Sequence, residues 1–400
     1  MICFSGWGRF LVAMSALLLG GLASAGVPAT LVNSQLRSEP VVITSLQEGV
    51  LVYFDAQRRL CESPIDHFVQ IRDMGEATEP PIDSAVVELV DGQRLIGRWI
   101  SASAESFQWE HEIFGRVRIP LDDIATITVA GDPIAPPGVG QDIVRLVNQD
   151  HIRGVVTGVE PEGLTMMLPG ANEAMALPSD RIEALWLANA VVKPRSELNR
   201  IVLADGSRLL ARHVDIADVD ARVDVVLPGR PVQTVVLPIE TLMRIDFTAN
   251  GVRLLDLAAQ SMAVTAGGAV FGLPMPPRIE AGDIYLHAPV TVSFVIPKTV
   301  DRFVATAELA SSPEVASKLN EWADFEVVVR HGPGGLDSRF RVNGRLPRVQ
   351  INVPVASMTQ LIIEVTPAIN GPILDRLRLR DAVLLDHSVD NQDLSKVDDW

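Results

Sequence analysis

The sequence predicts an all-β protein, with a tandem series of small SH3/Sm-like β-barrel modules followed by a β-sandwich. Apolar and polar residues alternate with a period of two over most of the chain, the pattern of half-buried strands. Glycine (29) and proline (27) punctuate the 400 residues without forming a low-complexity block, which suits many short strands. A short motif also recurs at a fixed step, the mark of a repeated structural unit.

The elements follow in chain order. Residues 1–25 read as a Sec-type signal peptide: Arg9 precedes an apolar run over 10–22, which ends in Ala23-Ser24-Ala25, a small-x-small cleavage pattern. Cys3 lies inside that segment, so Cys61 is the only cysteine of the mature chain and no internal disulfide is expected. A buried, small apolar side chain is the expected role of Cys61. The repeat comes next. "LVDGQRLIG" (89–97), "LVNQDHIRG" (146–154) and "LADGSRLLA" (203–211) open on Leu89, Leu146 and Leu203, a step of 57 residues. A fainter copy, "LVNSQLRS", starts at Leu31. Asp-Gly between apolar runs is a hairpin signal, because glycine accepts positive φ and aspartate caps its own turn. Each unit closes on a proline, a short polar turn and a last strand, as in "SPIDHFVQI", "IPLDDIATITV", "LPSDRIEALWL" and "LPIETLMRIDF". The expected modules are 31–75, 85–131, 142–190 and 199–248, the first degenerate. Residues 248–283 alternate weakly and read as a connector and an entry segment. Seven strand-like runs from Ile284 onward complete a sandwich assigned to 249–388, with one short helix expected over 311–323. Residues 389–400 form an acidic tail.

Two resemblances rest on these motifs. The repeats resemble the "L-x-D-G-x-x-L-x-G … I-P-L-x-x-I" modules of exported planctomycete-type proteins. The C-terminal part resembles the NPCBM/NEW2 domain, a carbohydrate-binding module family with a galactose-binding-like jelly-roll sandwich. The matching segments are "LLDLAAQSM" (254–262), "GDIYLHAPVTVSFVI" (282–296), "DRFVATAEL" (301–309), "DFEVVVRHGPGG" (324–335) and "GPILDRLRLRDAVLL" (371–385). The resemblance implies a jelly roll and a carbohydrate ligand.

Charge and motifs narrow the function. A net charge of −16 repels phosphate backbones, so no nucleic acid is expected as a partner. No segment after the signal reaches 18 consecutive apolar residues, so no membrane span is expected in the mature chain. No P-loop, G-x-G-x-x-G, G-x-S-x-G or H-E-x-x-H occurs, and the seven histidines are scattered; no cofactor, metal site or catalytic residue is expected. Glu110-His111-Glu112 reads as a solvated strand edge, since a strand points the His away from both Glu. "HGPGG" (331–335) reads as a hairpin turn. Sugar sites need an aromatic face and polar side chains for hydroxyls. Trp322, Tyr285 and His287 supply the first, with Arg330 and Arg339 as donors. Trp322 also suits an anchor packing the expected helix on the sandwich, and His287 a structural hydrogen bond. The expected function is that of an exported, periplasmic or extracellular, non-enzymatic binding protein whose partner is a polysaccharide or glycoprotein. The rival is a structural scaffold that binds envelope proteins and no glycan.

Overall fold

The computed structural model describes residues 26–81, 83–103, 106–129, 140–160, 162–190, 197–228, 230–249, 251–280, 282–310, 322–330, 337–372 and 374–387. The expected signal segment, most of the expected helix, the expected "HGPGG" turn and the acidic residues 389–400 lie outside them. The described residues are all-β, with five three-residue 3-10 turns between strands. Among the described residues, no helix is long and apolar enough to cross a membrane.

Four units of five strands make up the described residues before 248. The first comprises β1 (Val27–Asn33), β2 (Ser38–Gln47), β3 (Val50–Phe54), β4 (Leu60–Pro64) and β5 (Phe68–Arg72). The second comprises β6 (Ala85–Leu89), β7 (Arg94–Ser103), β8 (Ser106–His111), β9 (Gly115–Pro120) and β10 (Ile124–Thr128). The third comprises β11 (Asp142–Leu146), β12 (His151–Glu160), β13 (Gly163–Met167), β14 (Ala174–Pro178) and β15 (Ile182–Trp186). The fourth comprises β16 (Asn199–Leu203), β17 (Arg208–Ala217), β18 (Asp220–Val225), β19 (Gln233–Pro238) and β20 (Leu242–Asp246). In each, a proline (Pro64, Pro120, Pro178 or Pro238) stands before a 3-10 turn. Proline removes a ladder donor and presets φ, so the fourth strand stops there. The fifth strand then returns to pair antiparallel with the first, closing a small barrel.

The opening turn shows what was degenerate. Gly92 (φ 82) and Gly206 (φ 89) hold the left-handed position in the second and fourth units. Gln149 (φ 72) and Leu36 (φ 61) hold it in the third and first. The amides of Leu36, Gly92, Gln149 and Gly206 bond back to Asn33, Leu89, Leu146 and Leu203. Asn33, not Leu31, is therefore the counterpart of the repeated leucine.

The units do not sit in sequence order. β5 pairs with β20, centred on Ile71↔Ile245, and β10 with β15, centred on Ile127↔Leu185. β17 meets β7 at Arg208↔Arg94 and β2 at Ile216↔Leu46. At each meeting a residue faces its own counterpart from another repeat, so each seam has local two-fold symmetry. The spatial order is first, fourth, second, third, and one hydrophobic core runs through all four.

The rest is a two-sheet sandwich. Its strands are β21 (Arg253–Asp256), β22 (Met262–Gly267), β23 (Ala269–Val270), β24 (Leu273–Pro274), β25 (Arg278–Glu280), β26 (Asp283–His287), β27 (Val290–Val295) and β28 (Val300–Leu309). They continue with β29 (Asp324–Arg330), β30 (Ser338–Asn343), β31 (Arg348–Pro354), β32 (Gln360–Pro367) and β33 (Arg376–Asp386). One sheet runs β25-β26-β33-β28-β31, with β21 added to β33, and the other β22-β27-β32-β29-β30. Phe294, Phe303 and Phe325 fill the space between them. The supposed connector is thus built into the sandwich. Its alternation is weak for two reasons: β21 is apolar where it meets the units, and β22 is an edge strand of small exposed residues. Val32, Val69, Leu254, Val383 and Leu385 form the apolar seam between units and sandwich.

Candidate functional site

The five sequence-derived residues fall in four places. Tyr285 sits on the outward face of β26, since Ile284 and Leu286 point into the core. It stands between Arg278 of β25 and Arg378 of β33 in register. Their guanidinium carbons lie 5.1 Å and 6.0 Å from the ring centroid, so cations already occupy this aromatic. The ladder continues through Glu308, which pairs with Arg378 (3.2 Å) and Arg348 (3.0 Å). His287 is buried, and its Nδ1 lies 2.9 Å from the Ala288 carbonyl, the structural role weighed for it. Arg330 and Arg339 lie on the outer face of the opposite sheet. Arg330 pairs with Glu364 and Asp337, and Arg339 with Glu326 at 2.6 Å.

Trp322 stands apart at one end of the sandwich. It is 61% exposed, beside Ile369 at 87%. The Asn370 Nδ2 donates to the Trp322 carbonyl (3.0 Å), tying the two loops together. Two residues on, Asp324 accepts both arms of Arg341, Nε to Oδ1 at 2.8 Å and Nη2 to Oδ2 at 2.6 Å. The Arg341 bond lowers the pKa of Asp324 against the opposing effect of burial, and the Ile369 amide helps. The Asp324 amide in turn donates to Asp375 Oδ1 at 3.0 Å. Asp375 is fully buried, and its Oδ2 has no hydrogen-bond partner among the described residues. Burial pushes its pKa up to about 6; the Asp324 amide opposes the rise and the Asp324 charge adds to it. The end of the sandwich therefore presents an exposed Trp322 whose carbonyl is tied to Asn370, two residues before the Asp324–Arg341 pair.

Sequence reasoning missed a second constellation. His111 is buried rather than solvated, which overturns the strand-edge reading. Its Nδ1 accepts from the Ile113 amide (3.1 Å), which leaves the proton on Nε2. Nε2 lies 3.1 Å from Ser207 Oγ and 3.4 Å from Asp205 Oδ2. Ser207 Oγ donates to Asp205 (3.0 Å) and accepts from the Ile96 amide (3.0 Å). Burial raises the pKa of Asp205, but the His111 and Ser207 bonds outweigh it and the net shift is downward. A Ser-His-Asp set suggests a hydrolase, yet the roles are inverted: Ser207 is fully buried and the imidazole donates rather than receives. This trio clamps the second unit to the fourth. Its signal in the sequence was the Asp-Gly-Ser of the fourth turn.

A groove of about 610 Å³ lies at the seam of the first and fourth units, lined by Glu48, Asp215, Asp218, Asp220 and Arg222 among others. Among the described residues, no three His, Cys, Asp or Glu side chains are placed to hold a metal ion. Cys61 is a free thiol on β4, partly exposed rather than buried, with Sγ 3.6 Å from the Arg59 carbonyl.

No family model and no curated protein matches the chain. Solved structures to which it is similar include ones that contain carbohydrate-binding modules, CBM51. The CBM51-2 and INT domains of Clostridium perfringens ZmpB share 14% identity at a TM-score of 0.26, covering 44% of this chain and 40% of that one. CBM51 from Clostridium perfringens GH95, in complex with methyl-galactose, shares 18% at 0.24, covering 33% of this chain and 99% of that one. The M60 catalytic domain of ZmpB with its CBM51-1 and CBM51-2 domains shares 10% at 0.27, covering 79% and 32%. The chain thus spans 40% of the length of the first of these.

Proposed function

We propose that this chain is an exported, non-catalytic binding protein that recognises a glycan at the Trp322 end of its sandwich. The observation that supports this reading is the exposed indole on a frame held by Asn370, Asp324 and Arg341. An indole face stacks on the apolar C–H face of a pyranose, and polar groups around such a face bond its hydroxyls. A rigid aromatic loses little entropy on binding, so a shallow site of this kind works at low affinity. The resemblance of the C-terminal motifs to NPCBM/NEW2 agrees with it. The test is a broad glycan array probed with the full chain and with Trp322→Ala. Retention of one glycan class by the full chain, lost in the variant, supports the reading; failure to retain any glycan rejects it.

A second reading has its own observation. The β23–β24 hairpin carries Phe271 and Leu273 at its tip, 77% and 68% exposed. In a scaffold without glycan binding, such a tip seats in a protein partner. Crosslinking at the hairpin, with partners that persist under glycan competition, distinguishes this reading from the first.

A further inference from the structure

The seam between the second and fourth units brings two arginines together, and among the described residues neither guanidinium group makes a hydrogen bond or ion pair. Two reciprocal bonds set its register. Gln93 Oε1 accepts from the Leu210 amide (2.9 Å), and Ser207 Oγ accepts from the Ile96 amide (3.0 Å). Gln93 and Ser207 are repeat counterparts, as are Ile96 and Leu210, so the seam closes about Arg94↔Arg208. Directly paired residues share a face, and like charges there repel.

The same face carries more positive charge. Val202 stands opposite both Arg208 and Arg244, and Arg244 opposite Arg72. Arg72 has Asp381 as partner (2.9 Å), and Arg200 and Arg244 share Asp256 (2.8 Å and 3.0 Å). Among the described residues, Arg94 and Arg208 make no hydrogen bond or ion pair through their guanidinium groups, and the Nε of Arg94 is buried without a partner. Both side chains are partly buried. Burial depresses the pKa of Arg208; Asp256 opposes this, and Arg94, Arg244 and Arg200 add to it. The sandwich reaches this spot as well: a Cβ built on Gly282 (φ 91) would lie 3.6 Å from Arg208 Nη2.

We propose that Arg94 and Arg208 form a binding site for a tetrahedral oxyanion, a sulfate or phosphate group, where the second unit, the fourth unit and the turn at Gly282 meet. Two guanidinium forks offer paired N–H donors to such an anion, and its charge removes their repulsion. The anion would link the two units to the sandwich. It stands independently of the glycan reading, because it uses none of the residues at the Trp322 end.

Thermal unfolding of the full chain in sodium sulfate, sodium phosphate and sodium chloride at matched ionic strength tests the site. Sulfate or phosphate raises the midpoint by about 3 °C or more over chloride, as a ligand of the native state does. Arg94→Gln and Arg208→Gln each reduce that difference to the part that salt exclusion gives any folded protein, and Arg208→Gln unfolds in chloride no lower than the parent, since a repelling cation has gone. A sulfate monoester of a monosaccharide forms a separate arm: a response to it shows that the site accepts an ester group, and a response to inorganic sulfate alone assigns it to the free ion. Arg208→Lys keeps the charge without the fork and weakens the response about tenfold in midpoint concentration, a check should the glutamine variant fail to fold. Equal midpoints in sulfate, phosphate and chloride for the parent chain, or a sulfate response undiminished in both glutamine variants, overturns the proposal.

Discussion

Asp375 brings a carboxylate into a place better suited to a neutral group. Its pKa in the folded chain, about 6, lies above the ordinary value of 3.8, so the native state binds the proton more tightly than the unfolded one. Unfolding stability therefore rises as pH falls from about 7 to about 4 through this group. Asp375→Asn should remove that slope and stabilise the chain at pH 7 by about 1–2 kcal/mol, measured by denaturant titration at pH 7 and pH 5. Asp205 has the opposite sign. Its lowered pKa contributes stability that is present above the unfolded value and lost as pH falls below it. Ser207→Ala leaves the Ile96 amide and Asp205 each short of a buried bond, and a loss of about 1–3 kcal/mol is expected in the same titration. The sequence singled out Trp322 as an aromatic, but its exposure depends on the Asp324–Arg341 and Asn370 bonds, which arise only in the fold. His111 was misread because its partners lie in the fourth unit, 96 residues from it in the case of Ser207.

At the scale of the element, the hairpin turn is the part best read from sequence. Aspartate and glycine at one offset in two units specify a left-handed position, and the third unit fills the same position with Gln149 at φ 72. A non-glycine residue there is strained, so Gln149→Gly should stabilise the third unit. A gain of about 0.5–1 kcal/mol, read as a higher denaturant midpoint, is expected after the entropy of the added glycine is set against the relief of strain. The closing proline and the turn after it were equally legible, because proline acts on its own backbone. β21 and β22 were not, since period-two alternation requires one wet face and one dry face. β21 is packed on the apolar seam, and β22 runs along an open edge.

For the whole molecule, the repeat and the change of pattern near residue 248 were legible in the sequence, whereas the order of the units in space was not. Alternation shows which face of a strand is buried but not which other strand covers it. Seams between the first and fourth, second and third, and second and fourth units bind the array, and Asp256 ties it to the sandwich through Arg200 and Arg244. Arg244 and Arg200 hold the pKa of Asp256 down despite its burial. Removing that carboxylate strands buried guanidinium groups, so Asp256→Ala should cost about 3–5 kcal/mol and split the calorimetric unfolding transition in two. The glycan reading is tested most directly by calorimetric titration of one array-selected glycan into the full chain, Trp322→Ala and Tyr285→Ala. Trp322→Ala should lose affinity at least tenfold, while Tyr285→Ala, at a ring already covered by arginines, should keep it within about twofold. Equal affinity for the parent and Trp322→Ala contradicts the glycan reading.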